Sequence, residues 1–169
     1  MAKKILFFDD ERRIAEILQK NLELFGYDVK LVSTISDFVA EINRTTITYD
    51  LLLMDIMAPM PSEEEMKWFT IEEKGHMEEG RNTGVVLVDK IRDLNLGDIN
   101  SMALGLNVGV VLTDKVRGIA RYANIPVLFY SAKSYVKSFP KSKLITKPAL
   151  TKDIVKEIET LLQPEGGAQ

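Results

Sequence analysis

Four short apolar runs in this chain each stop at a polar residue, a pattern that constrains the fold more tightly than any other in the sequence. Lys4-Ile5-Leu6-Phe7-Phe8 runs into Asp9 and Asp10, and Leu51-Leu52-Leu53-Met54 into Asp55. Val127-Leu128-Phe129-Tyr130 runs into Ser131, and Leu144-Ile145-Thr146 into Lys147. Uninterrupted apolar runs this short read as strands covered on both faces, the signature of a parallel sheet. If the strands are parallel, their carboxyl ends share one edge, and open α/β sheets bind ligands at that edge.

Between these runs the apolar period lengthens to that of a helix. Ile14, Ile17, Leu18, Leu22 and Phe25 recur at helical spacing and Gly26 closes the segment. Tyr27 to Val32 alternates as a second strand. Ser33 or Thr34 can cap a short helix whose inner face is Ile35, Phe38, Val39 and Ile42. Residues 50–54, 125–130 and 143–146 supply the third, fourth and fifth strands, and a last helix carries Leu150, Ile154, Ile158, Leu161 and Leu162 on one side. Strand–helix alternation of this kind predicts an α/β fold, a doubly wound five-stranded parallel sheet. Residues 1–163 then form one domain, and residues 164–169 form a tail with nothing to bury.

The stretch after Asp55 breaks the pattern. Asn82-Thr-Gly-Val-Val-Leu-Val-Asp-Lys-Ile-Arg-Asp-Leu94 recurs 25 residues later as Asn107-Val-Gly-Val-Val-Leu-Thr-Asp-Lys-Val-Arg-Gly-Ile119, with eight of thirteen positions identical. Two copies are too few for a solenoid, so a local tandem duplication is the expected origin. The second copy leads straight into a strand. It is therefore expected to supply the third helix, with residues 60–106 as a helical insertion between the third strand and that helix, although the first copy is a rival for the same place. The insertion is acidic and carries Met66, Trp68, Phe69, Ile71 and Met77. A lid, a homodimer contact, a partner's docking site and a charged helix merely packed on the domain all remain open for it. His76, the single histidine, lies in no zinc or phosphohistidine motif and reads as a solvated residue.

Composition removes several function classes. A net charge of −3 implies no basic surface for nucleic acid, so no direct nucleic-acid partner is expected. It contains no cysteine, so disulfides, thiolate metal sites and cysteine nucleophiles are excluded. The apolar run after Met1-Ala2-Lys3-Lys4 is too short for a signal peptide or membrane span, so a cytoplasmic protein without membrane contact is expected.

The polar residues at the strand ends complement one another chemically. Asp9, Asp10 and Asp55 offer a hard oxygen site suited to Mg²⁺, or to Mn²⁺. Such carboxylates repel unless a cation joins them. Asp55 is placed to attack a phosphoryl group, while Lys147 and the Ser131 hydroxyl are suited to the phosphoryl oxygens. Each residue also has a plain reading: Asp-Asp as a turn, Asp55 as a strand end, Ser131 as a helix cap, Lys147 as a solvated lysine before Pro148. The plain readings require four coincidences at one edge.

Phe8-Asp9-Asp10-Glu11, Met54-Asp55-Ile56-Met57-Ala58-Pro59, Tyr130-Ser131-Ala132 and Thr146-Lys147-Pro148 together resemble the motifs of response-regulator receiver domains of two-component signalling. The resemblance covers about residues 2–57 and 108–162. It implies that Asp55 is the phosphoacceptor, that Asp9 and Asp10 hold the metal with the Met57 backbone carbonyl, that Ser131 is the switch hydroxyl, and that Lys147 pairs with the phosphate. It implies a cis Lys147–Pro148 peptide, a sensor histidine kinase or histidine phosphotransfer protein as donor, and a downstream protein target. Activity would be self-catalysed phosphotransfer and autodephosphorylation. The sequence departs from the pattern at Leu144, where receivers carry an aromatic residue, and between Ser131 and Lys147, where a shortened fourth helix is expected. A pseudo-receiver that binds a partner constitutively is the alternative.

Overall fold

The computed structural model describes residues 1–56, 113, 116–132 and 140–163. The expected insertion, the first repeat copy, Met57, the shortened fourth helix and the tail lie outside the described residues. Five strands, β1 (Lys4–Phe8), β2 (Asp28–Val32), β3 (Leu51–Met54), β4 (Val127–Ser131) and β5 (Ser142–Thr146), form one sheet in the order β2-β1-β3-β4-β5. Every neighbouring pair is parallel. The strand order reverses between β1 and β3, and a doubly wound sheet opens its binding crevice at such a reversal.

Side chains alternate between two apolar layers. Leu6, Phe8, Leu52, Met54, Val127 and Phe129 face one layer with α2 (Ile35–Asn43), and Ile5, Phe7, Leu51, Leu53 and Leu128 face the other with α1 (Arg12–Leu24) and the last helix (Thr151–Leu162). Burial on both sides explains why these strands read as continuous apolar runs instead of alternating ones. Of the second repeat copy, Val116 is buried in the α2 layer and Ile119 packs against it.

Two helix faces differ from expectation. α1 buries Ala15, Leu18 and Leu22, whereas Ile14 (57% exposed), Ile17 (63%) and Phe25 (56%) are turned outward. Positions 15, 18 and 22 share one helical face, and with that face in the apolar layer Ile14 and Ile17 fall on the flank. Leu150, expected on the inner face of the last helix, sits at its N-cap and is exposed; that helix buries Ile154, Val155 and Ile158. In α2 the expected inner face is the observed one, and the Thr34 hydroxyl caps the helix by accepting from the Asp37 N–H at 3.1 Å. Gly26 ends α1 at φ +90°, a conformation open to glycine at no steric cost.

A buried polar pair fixes the approach to β3. The Tyr49 hydroxyl donates to Glu41 Oε2 at 2.7 Å, and the same carboxylate meets Arg44 at 3.1 Å. Burial, reinforced by the bond to Glu41, drives the Tyr49 phenol far above its ordinary range. Tyr49→Phe leaves a buried carboxylate oxygen without its donor, so unfolding in urea is expected to show a loss of about 1–2 kcal/mol. A change within measurement error would mean that Arg44 and Lys30 together satisfy Glu41.

Candidate functional site

Strand register builds the site. Phe8 is opposite Met54, so Asp9 and Asp55 leave adjacent parallel strands side by side. The Asp55 N–H donates to the Phe8 carbonyl at 2.8 Å and the Asp9 N–H to Val32 at 3.2 Å, which carries the ladder to the last residue before each chain turns. One oxygen from each of Asp9, Asp10 and Asp55 lies within 4.8 Å of the others; Asp9 and Asp55 are buried and Asp10 is half-buried. On the far side, Thr146 is opposite Ser131 and the Lys147 N–H donates to the Ser131 carbonyl at 2.8 Å. That backbone bond aims the lysine back across the sheet edge.

Lys147 Nζ donates to Asp9 Oδ2 at 2.7 Å and to Asp55 Oδ2 at 2.8 Å, with its side chain only 15% exposed. Asp9 Oδ1 accepts from the Glu11 N–H at 2.9 Å, so both oxygens of that carboxylate are engaged. The ammonium also stands over the Tyr130 ring, 5.2 Å from its centroid. The Lys147–Pro148 peptide is cis. The sequence-predicted residues Asp9, Asp10, Asp55 and Lys147 are thus brought together, Ser131 ends the neighbouring strand, and Met57 lies outside the described residues.

Three carboxylates share one ammonium here, and the electrostatics show the imbalance. Burial pushes the Asp9 carboxyl above its ordinary range and the charge of Asp55 adds to this, although Lys147 pulls the other way. Asp10 is raised as well, by burial and then by Asp55. Burial opposes the charge on Lys147, yet its hydrogen bonds to Asp55 and Asp9 outweigh that penalty and raise its pKa. An all-oxygen, anion-rich donor set with one half-exposed member fits a hard divalent cation that keeps some of its water.

The Ser131 hydroxyl is fully buried and has no hydrogen-bond partner among the described residues. Buried hydroxyls are ordinarily satisfied, so this one at the end of β4 is a hydrogen-bond donor with capacity left over among the described residues. Leu144, opposite Phe129 on β5, packs its aliphatic side chain against the α2 layer.

No protein-family model matches the sequence. Solved structures do resemble the chain. A CheY-like response regulator receiver domain protein from Methanospirillum hungatei JF-1 superposes over 96% of this chain and 94% of its own, at 16% identity and a TM-score of 0.60. The receiver domain of the hybrid histidine kinase CckA superposes over 95% of this chain and 99% of its own, at 20% identity and a TM-score of 0.55. The chain has the receiver fold of response regulators. The response regulator TrrA from Thermotoga maritima, solved in complex with Mg(2+)-BeF, covers 94% of this chain at 16% identity, with 98% of its own chain covered and a TM-score of 0.56. In sequence, the chain is 45% identical over 60 residues to the alkaline phosphatase synthesis transcriptional regulatory protein PhoP of Bacillus subtilis (strain 168). That stretch is 35% of this chain and only 24% of PhoP, so the match spans about a quarter of that relative.

Sequence reasoning did not find the Tyr130 contact with Lys147 or the burial of Glu41. The first follows from the β4–β5 register, because Tyr130 is opposite Ile145 and Lys147 lies two residues further along the same face. The second had a faint signal: Glu41 is flanked on the helix by Phe38 and Ile42, both fully buried. Among the described residues, no helix is long and apolar enough to cross a membrane.

Proposed function

We propose that this receiver is a phosphoacceptor of a two-component or phosphorelay pathway, taking a phosphoryl group from a phosphohistidine onto Asp55 and signalling by protein–protein contact. The observation that carries the reading is the cluster of Asp9, Asp10 and Asp55 at the carboxyl edge of β1 and β3, with the Lys147 ammonium from the end of β5 bonded to Asp9 and Asp55. An Asp55 carboxylate oxygen forms the new bond to phosphorus while the bond from phosphorus to the donor imidazole nitrogen breaks. The electron pair of that bond returns to the imidazole, and the product is an acyl phosphate on Asp55. Lys147, already at Asp55, places a positive charge where the transferred group's oxygens accumulate negative charge. The buried Ser131 hydroxyl, which has no partner among the described residues, would donate to a phosphoryl oxygen. Asp9, Asp10 and Asp55 would hold Mg²⁺, which when bound supplies the charge that lets an anionic phosphoryl group enter an acidic pocket. The donor on this reading is a sensor histidine kinase or a histidine phosphotransfer protein, and the output is an unidentified protein target.

A pseudo-receiver is favoured by one feature, the aliphatic Leu144 where the resemblance expects an aromatic residue. The two readings separate in a single experiment. The full chain incubated with a small acyl phosphate is expected to gain the mass of one phosphoryl group on Asp55, with Mg²⁺ present and not with a chelator. Absence of both the adduct and Mg²⁺ binding would overturn the phosphoacceptor reading in favour of the pseudo-receiver.

A further inference from the structure

We infer that Tyr130 is a positioning residue for Lys147, its ring face holding the ammonium against the carboxylates of the site. The inference rests on the phosphoacceptor reading only for its consequence in phosphotransfer. The contact itself stands on geometry.

Tyr130 lies on β4 opposite Ile145, and Lys147 continues the face of Ile145 beyond the end of β5. Side chains in this diagonal relation can touch when one is aromatic and the other long. The ring is held in turn. Tyr130 packs against the α1 layer, whose buried members include Leu128, Ile154 and Val155, so it presents a fixed surface. The Lys147 nitrogen stands 5.2 Å from the ring centroid, within the range where the negative face of an aromatic ring attracts a cation.

Lysine ends a flexible four-carbon stem and is a compact charge without the directional fork of arginine. Of the three contacts its ammonium makes among the described residues, two are to carboxylate oxygens that any divalent cation at Asp9 and Asp55 would compete for. The ring is the contact free of that competition. It therefore keeps the ammonium near Asp55 when the carboxylates are otherwise engaged, and it does so without needing the phenol oxygen.

Three variants of the full chain test this. Tyr130→Phe keeps the ring face and Tyr130→Leu removes it. A third carries a trifluorinated phenylalanine at position 130, preserving shape while weakening the negative face. Without metal, NMR is expected to show the Lys147 side-chain methylene protons nearest the nitrogen shifted upfield by the ring current in the wild type and in Tyr130→Phe, and unshifted in Tyr130→Leu. With Mg²⁺ and a small acyl phosphate, phosphorylation is expected to slow about five-fold in Tyr130→Leu and in the fluorinated variant, and to stay near wild type in Tyr130→Phe. Lys147 resonances that do not respond to loss of the ring would overturn the inference, as would a fluorinated variant as fast as Tyr130→Phe. The fluorinated variant keeps the test decisive if Tyr130→Leu fails to fold. A wild type that forms no adduct defeats the phosphoacceptor reading, while the NMR comparison still decides the contact.

Discussion

Asp55→Asn is expected to abolish phosphoryl uptake from a small acyl phosphate while leaving the fold standing. The amide oxygen of asparagine is not a nucleophile toward phosphorus, so loss of the adduct should be complete and not a partial slowing. The structural cost is small because two effects oppose each other. Lys147 loses one charge-assisted hydrogen bond, at 2.8 Å, but keeps the other, to Asp9 at 2.7 Å. At the same time one of three converging carboxylates disappears, relieving the repulsion that helps to raise Asp9 and Asp10. The urea midpoint of the metal-free variant should therefore imply a stability within about 1 kcal/mol of wild type. Intact-protein mass spectrometry and denaturation on the same preparation check both halves. An adduct that persists in Asp55→Asn would move the acceptor elsewhere, and a collapsed fold would show that the carboxylate is structural.

How much of this was legible beforehand depended on how local the deciding physics is. β1, β3 and β4 were legible because burial on both faces demands uninterrupted apolar residues, and few other local structures do. The inner face of α2 was legible because Ile35, Phe38, Val39 and Ile42 are its large aliphatic and aromatic residues, so periodicity had one solution. α1 offered two overlapping stripes. The stripe with Ile14 and Ile17 lost to the one with Ala15, Leu18 and Leu22, and periodicity alone does not choose between two stripes that share Leu18 and Leu22. Asp9, Asp10, Asp55 and Lys147 could be placed at one edge because each follows its strand directly. The Lys147–Tyr130 contact could not, since it requires knowing that β4 and β5 are neighbours and in which register.

Lys147→Met is expected to destabilise the metal-free protein by about 3 kcal/mol, because it strands buried carboxylates without their cation. Methionine matches the unbranched stem and fills similar space, so the change isolates the charge. Asp9 is only 1% exposed and Asp55 5%, and Lys147 is the ammonium hydrogen-bonded to both. Desolvation already raises Asp9 with the lysine in place, so its removal leaves only the Glu11 N–H to offset that burial. The sign of the Mg²⁺ response then discriminates. A cation bound a hundred-fold above its dissociation constant stabilises a folded protein by about 2.7 kcal/mol. In Lys147→Met the ion no longer competes with an ammonium for Asp9 and Asp55, so the gain on adding Mg²⁺ should exceed that of wild type and recover most of the loss. Phosphorylation should nevertheless stay slow, by a factor on the order of 100, because Mg²⁺ restores charge to the carboxylates but not a donor to the phosphoryl oxygen. Urea titrations with and without Mg²⁺, paired with acyl-phosphate kinetics, read the two outcomes separately. A variant as stable as wild type without metal would show that the carboxylates do not depend on Lys147 for compensation.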